Sequence, residues 1–486
     1  MQDCSAMYNA TITGSKEKTK VKVLVTGASG FIGSRVVSRL LVISSSSHLF
    51  NDNYEILCLT RNKESMEGRY EKYNGAIQIV GADVNDYSQL VKAMNGVNIA
   101  FYLIHSMEGS SKEWKKFSQR DRMAAQNFAK AATECHIDRI IYLGGLIHQE
   151  GKEDYSKLSD HMRSRKEVGD ILKTSTAKVT IFRAAVILGQ GGGSFQMLEY
   201  LVKRLPLMVC PKWVLTKSQP ISVDDVVEYL VRSIGIKETE GRDFDIGGIE
   251  VLTYLQMMKR YAKMLKKSIK IVIIPFLTPR LSSYWVDLIT PVKASLARPL
   301  IDSLKHEATV KDETIKKLIS LRLKTFEESI KSAEEEEYVK RKTTGQQRTS
   351  HSMNNKLLIG SLFAMAAIGS TYYMLDTRPE VFHFNWIILS GLWYISIAFC
   401  LFFVFNGARL GAITAGIIGW ITLTFWLIDN IYTVSGQSLI AASPGILMTL
   451  RNFIGAVIAA SVVAASHNLY HKIRANGINL ADSNEN

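Results

Sequence analysis

The stretch Gly27-Ala28-Ser29-Gly30-Phe31-Ile32-Gly33 constrains this 486-residue chain most. It sets three glycines three residues apart, directly after the apolar run Val21 to Val25 and directly before residues 31–42, where Ile32, Val36 and Leu40 recur at helical spacing. That order reads as strand, tight turn, helix. The three glycines differ in what they do: Gly27 makes the turn, Gly30 lets the backbone approach a ligand, and Gly33 lets the helix pack close to the sheet. A helix opening on such a loop presents N–H groups and a partial positive charge, the complement of a pyrophosphate. A merely structural turn is the alternative.

Further apolar strands are expected at Glu55 to Leu59, Ile77 to Val80, Ile99 to Ile104, Ile140 to Leu143 and Val179 to Phe182. Helical stretches such as Ser88 to Met94 and Asp121 to Cys135 separate them. This alternation predicts an α/β fold, a Rossmann-type doubly wound parallel sheet. The regularity weakens from 195 to about 325, read as a substrate-side region of helices and loops with a late strand at Ile271 to Ile274. The apolar stretch Ile271 to Ile289 is broken by Pro275, Pro279, Arg280 and Asp287, so it is expected to pack in the domain or lie on a bilayer rather than span one.

Four apolar segments near the end, Leu357 to Leu375, Asn385 to Phe405, Leu410 to Ile428 and Gly445 to Ser466, each match the roughly 20 residues needed to cross a hydrocarbon core. They predict an all-α bundle of about four transmembrane helices. The resulting division is a disordered leader over 1–19, the nucleotide-binding domain over 20–325, a charged helix end and linker over 326–355, the membrane bundle over 356–474 and a tail over 475–486. Lys340, Arg341, Lys342, Arg348 and Lys356 precede the first segment, Arg409 follows the second, and Lys472 and Arg474 follow the last. The positive-inside rule therefore puts the soluble domain and both termini in the cytoplasm. Asp429 and Arg451 fall at similar depth near the outer face, where they could pair or snorkel.

The net charge of +14 lies almost wholly before residue 356. Without a nucleic-acid motif beside it, this charge suits a lipid bilayer surface or simple solubility, and no nucleic-acid partner is expected. Lys259, Arg260, Lys263, Lys266, Lys267 and Lys270 recur at helical spacing and could touch headgroups or form a solvated face. Cys4, Cys58, Cys135, Cys210 and Cys400 are odd in number and scattered, so neither a disulfide framework nor a zinc site is indicated. His467 and His471 stand four apart at a polar helix exit and are not read as metal ligands.

The second strand bears on which dinucleotide binds. NAD sites usually end it with a carboxylate for the ribose 2′-hydroxyl, but here it runs into Arg61-Asn62-Lys63. An arginine there suits a 2′-phosphate, so NADP(H) is preferred, with NAD(H) possible and an exposed strand-end arginine as the alternative.

These motifs resemble the short-chain dehydrogenase/reductase superfamily in its atypical, NmrA-like branch. The resemblance rests on the glycine loop, Gly81-Ala82-Asp83-Val84, and Phe182 to Gly189. Phe101 to Met107, Leu158 to Arg165 and Leu300 to His306 are further similar to bacterial NAD(P)-binding proteins with a DUF2867-type segment. The resemblance covers about 20 to 325 and implies that Ser29, Phe31 and Ile32 join the glycines around the cofactor. It further implies that Asp83 and Val84 flank the adenine and that Leu103 to His105 line the ribose and nicotinamide.

This chain departs from the superfamily's Tyr-x-x-x-Lys pair: His161 and Arg165 stand at the corresponding place, and Gly144-Gly145 replaces the usual serine. The only literal match, Tyr338 to Lys342, lies in the charged stretch before the bundle. His161 is the candidate proton donor and Arg165 the candidate stabiliser of negative charge, against the alternative that His161 only packs or bonds locally. Two functions are carried forward. One is NADPH-dependent reduction of a hydrophobic, membrane-associated substrate, a quinone or lipid-like molecule. The other is a non-catalytic NADP(H) sensor or assembly factor with a membrane protein partner.

Overall fold

A computed structural model describes residues 20–45, 54–73, 75–104, 114–146, 159–204, 207–274, 300–343, 349–375, 384–405, 409–434 and 446–485. The first half alternates as expected. β1 (Val21–Thr26), α1 (Gly33–Ser45), β2 (Tyr54–Thr60), α2 (Lys63–Tyr70), β3 (Ile77–Gly81), α3 (Tyr87–Met94) and β4 (Ile99–Tyr102) are followed by α4 (Trp114–Glu134), β5 (Arg139–Gly145), α5 (Asp160–Leu172) and β6 (Lys178–Ala184). The strands are rich in Val, Ile and Leu because both faces of a parallel sheet are covered. β4 stops two residues before the expected Ile104 because the Leu103 N–H leaves the ladder and donates to Thr26 Oγ1 at 3.0 Å.

Short elements follow: β7 (Ile187–Leu188), α6 (Gly193–Arg204), β8 (Leu207–Pro211), β9 (Lys217–Ser218), β10 (Ile221–Ser222), α7 (Val223–Arg232), β11 (Asp243–Ile246), β12 (Leu252–Thr253), α8 (Tyr254–Met264) and β13 (Lys270–Ile274). The main sheet has seven strands in the order β3-β2-β1-β4-β5-β6-β11, all pairs parallel. β11 has no sequence expectation behind it, since Asp243-Phe-Asp-Ile246 lacks an apolar run; Phe244 stacks on Phe182 and supplies the burial. The expected strand Ile271 to Ile274 forms, but it pairs with β8 outside the main sheet. The rest of the stretch to Ile289 lies outside the described residues.

Helices cover both faces. α1 and α7 bury Val36, Leu40, Val226 and Leu230 against one side, and α3, α4 and α5 bury Leu90, Phe128 and Leu172 against the other. Two further helices, α9 (Thr314–Leu318) and α10 (Phe326–Thr343), close the domain, and a third apolar cluster joins α10 to α6 and α8. Arg260 is drawn out of the expected basic face: it ion-pairs with Glu250 at 2.6 Å and with Glu327 of α10 at 2.5 Å.

The C-terminal part is all-helical: α11 (Thr349–Leu375), α12 (Phe384–Phe405), α13 (Arg409–Val434) and α14 (Ile446–Glu485). Three of these, over Ile387–Phe405, Leu410–Ile431 and Thr449–His471, are long and apolar enough to cross a membrane. The first apolar segment is shorter, Leu357–Thr371, although its helix runs for 27 residues. Thr349 to Asn355, expected as flexible linker, is helical at the backbone, since polar residues without Gly or Pro do not stop a helix. Small residues let the helices approach closely: a Cβ on Gly455 would lie 2.6 Å from the Trp426 ring. Asp429 and Arg451 do not snorkel. Both are buried and linked through Asn452, which accepts from Arg451 Nη1 at 2.7 Å and donates to Asp429, while Arg451 also reaches the Ile368 carbonyl at 3.2 Å.

Candidate functional site

Parallel strands deliver successive loops to one edge, and strand order reverses between β1 and β4, where such sheets open a crevice. The candidate residues gather along that edge because each follows a strand. Gly27 to Gly33 follow β1, Arg61 follows β2, Asp83 and Val84 follow β3, Leu103 follows β4, and α5 with His161 and Arg165 follows β5. His105 lies outside the described residues.

The β1–α1 loop is a cradle that side chains would fill. Gly27 has φ +64°, and a Cβ there would meet the Leu103 carbonyl oxygen at 2.8 Å. Gly33 is tighter still, with a Cβ 2.1 Å from the Gly27 oxygen, so it packs against the loop's own backbone rather than the sheet as expected. At Gly30 a Cβ would meet only the Gly27 oxygen, at 3.2 Å. That leaves one face of the loop open at the start of α1, which fits a pyrophosphate. The side chains of Phe31 and Ile32 serve packing. The Phe31 ring sits against Gly189 and Gly192 with the Arg35 guanidinium 4.8 Å above it, and Ile32 joins the core. Their contribution to a ligand would come from backbone N–H groups.

Three residues without sequence expectations hold this loop. Thr26 Oγ1 donates to the Phe101 carbonyl at 2.9 Å and accepts from Leu103, tying β1 to β4. Tyr70 Oη donates to Ala28 O at 3.0 Å, and Arg69 Nη1 donates to Ser29 O at 2.5 Å. Arg69 thus brings a second guanidinium to the edge where Arg61 ends β2; its place on α2, eight residues past Arg61, gives no sequence signal of that contact. Asp83 Oδ1 accepts from Asn85 N at 2.9 Å, and Val84 is buried, its carbonyl held by Asn127 at 3.3 Å.

α5 starts at an N-cap, Ser159, which accepts from Met162 N at 3.3 Å. His161 Nδ1 lies 3.1 Å from Ser303 Oγ. Arg165 donates to the Leu143 carbonyl at the end of β5, and its guanidinium lies 5.3 Å from the Tyr142 ring centre. The glycines standing in for the superfamily serine have a physical cause: a Cβ at Gly145 would meet Met162 Sδ at 3.0 Å, and one at Gly144 would meet the Tyr142 ring at 3.3 Å. Neither nearby tyrosine replaces the missing one. Tyr102 and Tyr142 are fully buried, and burial raises both phenols above their ordinary pKa. Tyr338, of the chance Tyr-x-x-x-Lys, is exposed on α10.

Comparison with known proteins accords with this geometry. Residues 27–235 match the family model described as NAD(P)H-binding. The chain is 25% identical over 233 residues to the photosystem II assembly factor Ycf39 of Cyanophora paradoxa, covering 47% of this chain and 64% of that protein. It is 29% identical over 123 residues to the NmrA-like family domain-containing oxidoreductase himF of Aspergillus japonicus, covering 25% and 34%. The chain thus spans less than two thirds of the length of these curated relatives. Among solved structures, a nucleoside-diphosphate-sugar epimerase from Staphylococcus aureus superposes with a TM-score of 0.50 at 14% identity, covering 64% of this chain and 99% of that one, a likeness of fold. The seven-stranded sheet, the glycine cradle and the match over 27–235 together make the N-terminal part of this chain an NAD(P)H-binding domain, similar in sequence to an NmrA-like oxidoreductase.

Proposed function

We propose that this protein is an NADPH-dependent reductase held at a membrane by its C-terminal helices, acting on an acceptor that stays in the bilayer, a quinone or lipid-like molecule. One observation carries the reading. Phe403, at the end of α12, is buried in the same apolar cluster as Phe195 and Met197 of α6, Met257 and Tyr261 of α8, and Phe326 and Ile330 of α10. The substrate-side region of the nucleotide domain therefore rests directly on the bundle, at the C-terminal end of α12. A reductase so placed reaches molecules that do not leave the membrane.

When bound, the cofactor supplies a hydride. Backbone N–H groups at Phe31 to Gly33 would hold the pyrophosphate, the Gly30 N–H being spent on the Gly27 carbonyl at 2.9 Å, with Arg61 and Arg69 at the 2′-phosphate that distinguishes NADPH from NADH, Asp83 and Val84 at the adenine, and Leu103 to His105 at the ribose and nicotinamide. His161 would hand a proton to the acceptor oxygen, while Arg165 fixes α5 to the end of β5. A quinone needs less specialised acid catalysis than an isolated ketone, so the absence of Tyr-x-x-x-Lys weighs less against it. With the basic flanks on the domain's side, that side and both termini are cytoplasmic.

The test is NADPH and NADH oxidation by the full chain in lipid nanodiscs, with short- and long-chain benzoquinones. NADPH oxidation by a quinone supports the proposal. Tight NADPH binding with no turnover on any lipid-soluble acceptor overturns it in favour of a non-catalytic sensor or assembly factor for a membrane complex. The departure from Tyr-x-x-x-Lys and the likeness to an assembly factor favour that second reading.

A further inference from the structure

Two sequence stretches that the cofactor cradle does not use, Ser159 to Arg165 and Leu300 to His306, meet in space. Their contact is the 3.1 Å hydrogen bond between His161 Nδ1 and Ser303 Oγ, across 142 residues of sequence. Each partner sits on a fixed element. His161 is in the first turn of the capped helix α5. Ser303 lies on a helical turn closed by Leu304 N–H to Leu300 O at 3.0 Å, and its neighbour Ile301 is fully buried in the cluster that also holds Phe403.

We propose that Ser303 is a positioning residue for His161, fixing its ring and tautomer so that Nε2 is the nitrogen that exchanges a proton with the substrate. This rests on the reading of His161 as proton donor. In the imidazolium, Nδ1–H donates to Ser303 Oγ and Nε2–H carries the transferable proton. During reduction the Nε2–H bond breaks as an O–H bond forms on the acceptor oxygen, the electron pair arriving with the hydride. The ring that remains is the neutral Nδ1–H tautomer, still held by Ser303, and solvent returns the proton to Nε2. An unconstrained neutral histidine exchanges between its tautomers and favours Nε2–H, so a serine that holds Nδ1–H removes a reorganisation from the transfer.

Ile301 gives the arrangement a second consequence. The turn that orients His161 is packed into the same cluster as the membrane-side Phe403, so the proton donor is set in register with the surface facing the bilayer. The charged groups on the two packed segments are Asp160, Arg163 and Arg165 on α5, and Asp302, Lys305 and His306 beside Ser303. Asp302 and Lys305 pair with each other at 2.8 Å, as do Asp160 and Arg163 at 3.5 Å. Burial and Lys305 hold the His306 imidazole below its ordinary pKa.

The test is solid-state NMR of the full-length, ¹⁵N-histidine-labelled protein in liposomes, with the His161 signals assigned by their loss in His161→Gln. Wild type is expected to show the neutral Nδ1–H tautomer; Ser303→Ala is expected to lose it, and Ser303→Thr, which keeps the hydroxyl, to restore it. NADPH affinity stays unchanged in all three, since Ser303 lies outside the glycine cradle. With a quinone acceptor, Ser303→Ala lowers kcat about tenfold at unchanged KM for NADPH, less than the roughly 100-fold or greater loss for His161→Gln. An unchanged His161 tautomer in Ser303→Ala overturns the proposal. A wild type that turns over no acceptor overturns the proposed reduction instead, and the tautomer measurement still decides the contact.

Discussion

At Gly30 and Gly33 the same added carbon has opposite meanings. A Cβ on Gly33 meets the Gly27 oxygen at 2.1 Å, backbone against backbone, so Gly33→Ala is expected to destabilise the domain by about 2–3 kcal/mol, measured by urea unfolding. On Gly30 the carbon would meet one atom at 3.2 Å and otherwise occupy the open face, so Gly30→Val is expected to leave the urea midpoint nearly unchanged while abolishing NADPH binding. A Gly30→Val that still binds would show the loop to be scaffold only. Arg61 makes a parallel prediction: Arg61→Ala should cut the NADPH-over-NADH preference by roughly 10- to 100-fold, the worth of a charge-assisted contact, and Arg69→Ala should cut it less because that guanidinium is engaged with Ser29. Asp225, at the start of α7, sets a pH response. Burial pushes its carboxyl up to about 6 although Lys324 N–H donates to it at 2.9 Å. A raised carboxyl pKa favours the protonated folded state, so this group's stabilisation is full below about pH 4 and lost as pH rises through about 6. Asp225→Asn should flatten the unfolding free energy across that window.

At the scale of elements, the bundle is held by a polar tie that its apolar surfaces alone would not place. α11 contributes the Ile368 carbonyl, α13 contributes Asp429, and α14 contributes Arg451 and Asn452. Removing one charge strands the other in a low-dielectric interior, whereas removing both leaves an apolar contact. Asp429→Leu is therefore expected to cost roughly 3–5 kcal/mol in bundle stability, and the double variant Asp429→Leu/Arg451→Leu less than Asp429→Leu alone, read as unfolding temperatures in nanodiscs. A double variant as damaged as the sum of its singles would show that the two residues act independently. In the soluble part, α10 is the corresponding tie. Its acids reach Arg260, Lys203 and, at 2.6 Å, Arg35 of α1, so the helix leading to the bundle is bonded two residues past Gly33. In sequence it reads only as a charged helix end, while Phe326, Ile330 and Ala333 on its inner face are buried.

For the whole molecule, the contact between the nucleotide domain and the bundle is apolar and centred on Phe403. Phe403→Ser should leave NADPH binding intact, since the glycine cradle lies elsewhere, while lowering turnover of a long-chain quinone more than that of a water-soluble one. Equal losses with both acceptors would mean that the interface does not govern access to the bilayer. The outward side of the bundle is as apolar as its interior: Ile395, Ile431 and Phe453 are each more than 60% exposed. Such a surface is costly in water and suits lipid tails.

The sheet and the cradle were legible in the sequence because both are local. Strand and helix periods sit in windows of a few residues, and a glycine triplet at a strand–helix junction has few structural solutions. The apolar segments were legible for the same reason, since span length is a one-dimensional property. Tertiary structure decided what depends on residues far apart in the chain. The seventh strand exists because Phe244 finds Phe182, Arg69 reaches Ser29 across a helix, and the end of the Met162 side chain crowds the space a side chain at Gly145 would enter. Ser303 meets His161, and Phe403 enters the apolar cluster of α6, α8 and α10. No periodicity encodes such pairings, because each is fixed by the chain's closure in space rather than by its neighbours in sequence.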